Sequence, residues 1–184
     1  TTLNLDVNGE DKSISHAKLN LHFDKGHVDY FINGKKSIRL FLGGDIVAVF
    51  KDNNINGKVH FDFLKKDYIS LNFNTDQDRD EVLGMDTALQ GHLKIAMHDL
   101  GFISNYIPSV GIEDGVFNTD VLISGTLGNP QYSGNIGLNT ATVSIPTAGL
   151  ELTQLAMNFK VENSLAKISI HALSSGDPLA IEGM

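Results

Sequence analysis

The sequence predicts an all-β fold, a long antiparallel meander of about a dozen strands, on three observations. Apolar and polar residues alternate with a period of two, turn signals interrupt the alternation, and segments recur about every 8–12 residues. Successive strand side chains point to opposite faces, so each segment carries one apolar and one wet face. A buried parallel sheet would show continuous apolar runs instead.

The elements follow in order. Leu3, Leu5 and Val7 alternate with Asn4, Asp6 and Asn8, and Ala17, Leu19, Leu21 and Phe23 with Lys18, Asn20 and His22. Asp45–Phe50 is the one nearly continuous apolar run. Val59, Phe61 and Phe63 then alternate with His60 and Asp62, and Ile69, Leu71 and Phe73 with Ser70 and Asn72. Leu93, Ile95 and Met97 repeat the pattern, as do Leu155, Met157, Phe159 and Val161, then Ala166, Ile168 and Ile170. Turn signals stand at Asp24-Lys25-Gly26, Asn33-Gly34, Asn53-Asn54, Asn56-Gly57 and Gly128-Asn129-Pro130, where Asn and Gly accept the positive φ of tight hairpins. Gly43-Gly44 marks a bulge or a bend between two strands. One segment departs from period two. Leu100, Ile103 and Ile107, between Asp99 as N-cap and Pro108 as stop, predict one short amphipathic helix near 99–107.

Composition narrows the function classes. Net charge is −8, so no basic face exists to neutralise phosphates, and nucleic acid is excluded as a partner. No run approaches the roughly 20 apolar residues of a spanning helix, and no basic n-region of a signal peptide opens the chain. With no Cys, disulfides, thiolate metal sites and Cys nucleophiles are excluded. Residues 1–91 hold 11 of the 14 basic and 14 of the 22 acidic residues, yet no Pro- or Ser-rich linker follows, so one continuous sheet is the simpler reading.

Chemistry-bearing clusters are sparse. Asp76, Asp78, Asp80 and Glu81 imitate the opening of a calcium loop, but Glu81 stands where the turn glycine belongs and Thr87 where the closing Glu belongs. The seven histidines have no metal-ligand spacing, and His22, His60 and His171 fall on wet faces. Gly125-Thr-Leu-Gly128 before Asn-Pro reads as a hairpin turn, not a phosphate cradle. No nucleophile elbow or singled-out carboxylate pair is present, and the chain is expected to be no enzyme and to need no cofactor or metal.

A dozen strands spaced about 4.8 Å apart make a sheet about 60 Å wide, with one apolar face that a single short helix cannot cover. About 30 large apolar side chains, worth roughly 1.5–3 kcal/mol each when buried, need a partner. Three solutions exist: a self-filled sandwich or closed barrel, a sheet curled around an apolar ligand, or a membrane barrel with that face outward. The last lacks its aromatic girdles, with 4 Tyr and no Trp. Periodicity does not separate the first two, although it favours the self-filled core.

The stretch from about Phe102 to Val161 adds a resemblance. Ser124-Gly125-Thr126-Leu127-Gly128 with Pro130, then Ser133-Gly134, then Ile145-Pro146-x-x-Gly149-Leu150-x-Leu152 resembles the C-terminal domain of the TamB family. That family is the inner-membrane-anchored component of the translocation and assembly module of Gram-negative bacteria, grouped with AsmA-like and repeating-β-groove proteins. The resemblance implies a U-shaped sheet with an apolar concave groove, and it favours the open groove over the self-filled core. It implies one β-groove domain over 1–184, a piece of a longer periplasmic protein anchored in the inner membrane. Its occupants would be phospholipid acyl chains passing between the inner and outer membranes. Its partners would be a TamA-type outer-membrane barrel protein and unfolded outer-membrane protein clients. The anchor helix and a closing terminal aromatic strand of the family are absent from this sequence. The expected groove lining is Leu21, Phe23, Phe61, Phe63, Leu71, Phe73, Leu93, Ile95, Ile136, Leu138, Val143, Ile145, Leu152, Met157, Phe159, Ile168 and Ile170.

Overall fold

Alternation commits each segment to a strand, and connections of a few residues force consecutive strands to run antiparallel. The computed structural model describes all residues except 11–12, 33–34, 79–82, 99, 101–108 and 163–164. Twelve strands form: β1 (Thr2–Glu10), β2 (Ser13–Phe23), β3 (Gly26–Ile32), β4 (Lys35–Lys51), β5 (Asn54–Phe63), β6 (Tyr68–Asp76), β7 (Ala88–Met97), β8 (Gly111–Gly125), β9 (Pro130–Ile145), β10 (Leu150–Glu162), β11 (Leu165–Ser174) and β12 (Asp177–Gly183). They build one sheet in sequence order, except that β3 pairs with β4 alone. The length of β4 is the reason. Its Gly44–Lys51 portion lies between β2 and β5, whereas Lys35–Phe41 pairs with β3 past the end of β2.

The sheet is open and curled, as expected from the resemblance, and the self-filled sandwich or closed barrel favoured by periodicity is not formed. Among the described residues β1 pairs only with β2 and β12 only with β11. A compact monomer of 20.0 kDa would expose about 8,700 Å². This chain exposes 12007 Å². The surplus is that of a single open sheet, whose apolar face no second layer covers among the described residues.

Some local expectations are corrected. Asn56-Gly57 is no turn and lies inside β5, where Gly57 sits beneath the Phe73 ring and a Cβ would collide with it. Of the two readings of Gly43-Gly44 the bulge holds, within β4, with the register shifting between Phe41 and Gly43, and the bend between two strands does not. The turn expected at Asn53-Asn54 is the two-residue loop Asp52-Asn53, whose φ values of 48° and 58° suit a type I′ hairpin. The Thr126–Asn129 turn joins β8 to β9 as expected, closed by paired backbone bonds of 3.2 and 3.3 Å. The helix expected near 99–107 lies outside the described residues apart from Leu100, which is buried. Asn33-Gly34 also lies outside them.

A line of irregularities crosses β8, β9 and β10. Asp114 and Gly115, Thr140, and Gln154 all take positive φ, and the β9–β10 register shifts on either side of Leu155, while β8 and β9 stay in register. These bulges bend neighbouring strands at one level, creasing the sheet. On the far side of the crease Ala141, Val143, Leu155 and Ala172 form a small buried core, with Ile112, Leu138, Leu152, Met157 and Ile170 against it.

Candidate functional site: the apolar face

Directly opposed residues of antiparallel strands share a face, so the register converts separate strand patterns into continuous rows. Leu21, Ile46, Val59, Leu71, Leu93 and Val121 are successive cross-strand partners from β2 to β8. A second row runs Phe23, Gly44, Phe61, Ile69, Ile95, Thr119, Ile136, Phe159 and Ile168. A third runs Met97, Phe117, Leu138, Met157, Ile170 and Ile181. The rows cross the sheet perpendicular to the strands.

Glycines and aromatic rings interlock on this face. Phe23 and Phe61 lie 5.2 Å apart between centroids, and Phe41 meets Phe61 edge-on at 6.4 Å. The Phe61 ring covers Gly44 and the Phe73 ring covers Gly57. A side chain at either glycine would displace the ring above it, so the two glycines keep that part of the face filled by aryl groups. Phe63 stands opposite Phe41, Phe73 opposite both Gly57 and Gly91, Val143 opposite Ile112 and Leu152, and Ile145 opposite Leu150.

Sixteen of the seventeen expected lining residues are half-buried, and Val143 is buried. Half-burial is the state of side chains that touch lateral neighbours while nothing lies on top of them. The crease explains how Ile136 and Leu138 share a face with Val143. Thr140 is the extra residue that shifts the phase, and Gln154 does the same between Leu152 and Met157. The expected lining left out Ile46, Val59 and Ile69, although their strands were read from the sequence, and the alternation of β8 was not read at all. Phe117, Val121 and Ile123 alternate there, but Thr119 interrupts the row and Leu122 lies exposed on the polar face.

The opposite face is polar and threaded by ion pairs. His22 Nδ1 lies 2.7 Å from Asp45 Oδ1, and His92 Nε2 lies 2.6 Å from Asp120 Oδ1, both across strand pairs. His60 lies 3.2 Å from Asp62 on its own strand, Lys160 lies 2.7 Å from Glu162, and His171 bonds Ser169. His22 titrates above its ordinary value of 6.5, first because of the hydrogen bond to Asp45, then through the charges of Asp45 and Asp24. Asp120 titrates below the usual carboxylate value, first because His92 hydrogen-bonds to it, with the charges of His92 and Lys94 adding. Shallow depressions on this face are lined by polar groups such as Asn118, Asn135, Asn139 and Asn158. Among the described residues no group of three or more His, Asp and Glu is placed to hold a metal ion, and no helix is long and apolar enough to cross a membrane. Of the acidic cluster, Asp76 and Asp78 are exposed, while Asp80 and Glu81 lie outside the described residues.

The face can therefore hold apolar matter by burial along its rows. Residues 1–138 match the family model described as TamB, N-terminal domain. This corrects the domain expected from the Phe102–Val161 stretch, because the match takes in the first two thirds of the sheet and overlaps that stretch only up to Leu138. No curated protein and no solved structure gives a match.

Proposed function

The chain belongs to the TamB family of the Gram-negative translocation and assembly module, and from that premise we propose that its apolar concave face shields and conducts phospholipid acyl chains between the inner and outer membranes. The observation that carries this reading is the set of three apolar rows, running across the strands and largely half-buried, with no layer above them among the described residues. An acyl chain laid along a row would gain about 25 cal/mol for each Å² of apolar surface removed from water, with its headgroup left at the wet rim. The work is non-covalent: no bond is made or broken, and no cofactor takes part. The segment acts in the periplasm, within a longer protein anchored in the inner membrane and working with a TamA-type barrel in the outer membrane.

A second reading is favoured by the sheet's edges. The outer sides of β1 and β12 meet no strand among the described residues, and Leu3, Leu5 and Ile181 are exposed there. Unfolded outer-membrane β-barrel clients would pair with such edges by strand addition. In that case proline on an edge strand harms function more than charge within the rows.

Photo-crosslinking in the full-length protein in cells separates the two. The probe is placed at Leu71 or Leu138 on the apolar face, with Asn72 and Asn139 on the polar face as controls. Phospholipid adducts at the two Leu positions alone are expected. Protein adducts there would favour client binding, and four silent sites would sink the conduit.

A further inference from the structure

We propose that the polar face carries a glycan-binding site on β8, β9 and β10, suited to an N-acetylated sugar chain. Gly137 is its floor. Asn118 on β8 and Asn158 on β10 are the direct cross-strand partners of Gly137, one on each side. Asn135 and Asn139 stand two residues before and after it on β9, which puts them on the same face. Four carboxamides thus surround one glycine in a cross and line a depression of about 340 Å³. Tyr68 lines it as well, and only Ala96 stands between Tyr68 and Asn118 in their cross-strand row.

Neither backbone nor packing calls for glycine at 137. Its φ is not positive, and a Cβ there would meet nothing nearer than the Asn139 amide nitrogen at 3.6 Å. The missing side chain leaves open space between Asn118 and Asn158, whose strands lie about 10 Å apart across β9. The amides are uncommitted too. Other polar side chains on this face close pairs, such as His22 with Asp45, His92 with Asp120 and Lys160 with Glu162. The side chains of Asn118, Asn135, Asn139 and Asn158 are exposed and bond no protein group among the described residues.

Such an array selects by hydrogen bonding and not by charge. Each carboxamide offers two N–H donors and a carbonyl acceptor, the complement of a sugar's hydroxyl and acetamido groups. The ionised residues of the lining are Lys94 and Asp120. Lys94 Nζ lies 3.7 Å from Asp120 Oδ2, and His92 holds Asp120 Oδ1 at 2.6 Å, so neither charge is left uncompensated for an ionic ligand. A peptide strand finds no free backbone here, because β9 pairs with β8 and β10 along both sides. The half-buried Tyr68 supplies an aromatic wall with a hydroxyl, against which the C–H face of a sugar ring packs. This inference does not depend on whether acyl chains enter the apolar face.

NMR titration of the isotope-labelled 184-residue chain with the tetramer of N-acetylglucosamine tests it. The side-chain amide signals of Asn118, Asn135, Asn139 and Asn158 are expected to shift at millimolar sugar. Those of Asn4 and Asn20, paired with each other on the polar face of β1 and β2, should stay in place. N118A/N158A should weaken binding on the order of tenfold. Gly137→Leu, which fills the floor, should do at least as much, and Asn4→Ala should change nothing. Should Gly137→Leu fail to fold, the double asparagine variant decides, since both its positions are exposed. Tetraglucose, which has no acetamido groups, and N-acetyl-trialanine amide, which has no sugar rings, should each bind more weakly. Absence of shifts, equal shifts at Asn4 and Asn20, equal binding of tetraglucose or the peptide, or full binding by N118A/N158A overturns the site. Lipid adducts in the apolar rows with no sugar binding would leave the conduit standing and remove only this site.

Discussion

The two halves of the sheet are held together by different chemistry. From β8 to β11 the buried side chains are mainly apolar: Val121, Ala141, Val143, Leu155 and Ala172. From β1 to β7 the buried side chains among those described are polar: Asp67, Thr75 and Thr87. Each of the three stands at a strand end or connection. Asp67 takes the His98 N–H, and its own carbonyl takes that of Phe63 at 2.8 Å. Thr75 Oγ1 accepts the Ile55 N–H at 2.8 Å, beside an Asn54 side chain bonded to both backbone groups of Gln77. Thr87 Oγ1 accepts the Gly84 N–H at 2.9 Å. The first half is thus pinned at its margins by side-chain-to-backbone bonds, leaving its broad apolar face uncommitted. The second half creases and spends part of its apolar surface on a core of its own. One apolar row, from Phe23 to Ile168, crosses both halves, with shape fixed away from the face in one and behind the crease in the other.

The sharpest way to break this comparison is a pair of truncations. Leu155→Ala removes a buried group from the creased core and should cost about 2–5 kcal/mol in denaturant unfolding. Leu71→Ala removes a half-buried group from the open face and should cost about 1 kcal/mol. Equal losses would mean that the open face is packed like a core.

Asp67→Ala tests the marginal pins. It strands the His98 N–H and should cost about 1–3 kcal/mol, with amide exchange rising first around Phe63 and His98. If exchange rises instead around Ala141 and Leu155, the halves do not hold independently.

The smallest effect is expected on the polar face. In Asp45→Asn the His22 titration, followed by NMR, should move down toward 6.5 as its main hydrogen-bond partner loses charge. The raised His22 value contributes stability that is complete below 6.5 and fades as pH rises through the folded value. The depressed Asp120 value contributes stability present above the ordinary carboxylate value of 3.8 and lost as pH falls through its folded value. Both contributions are therefore greatest in mildly acidic solution, and both are small because these pairs are exposed.

Much of this was legible from alternation. The phase of Leu21, Leu71 and Leu93 is local, since a strand's side chains switch faces at every residue, and their placement in one row needs only hairpin pairing. The crease was not legible in the same way. Ile136 with Leu138 and Val143 with Ile145 differ in phase, and the positive φ of Thr140, beside which the register to β10 shifts, reconciles them. Gly57 read as a turn because Asn-Gly is a local signal, while the ring above it comes from Phe73, sixteen positions further on. The pairing of β3 with β4 alone was hidden for a related reason. Nothing in Lys35–Lys51 announces that its first part outruns β2, because that depends on where β2 stops.

The rows also bear on how anything would move along this molecule. Neighbouring rungs lie about 4.8 Å apart. Successive rungs are chemically alike: Ile46, Val59, Leu71 and Leu93 each offer a branched aliphatic group. A chain sliding from one rung to the next exchanges one contact for an equivalent one, without re-entering water. Such a rail has low friction and no detent. It would hold a passenger without fixing it at any station, and it would carry traffic equally in both directions, so any net flow must be imposed at the ends.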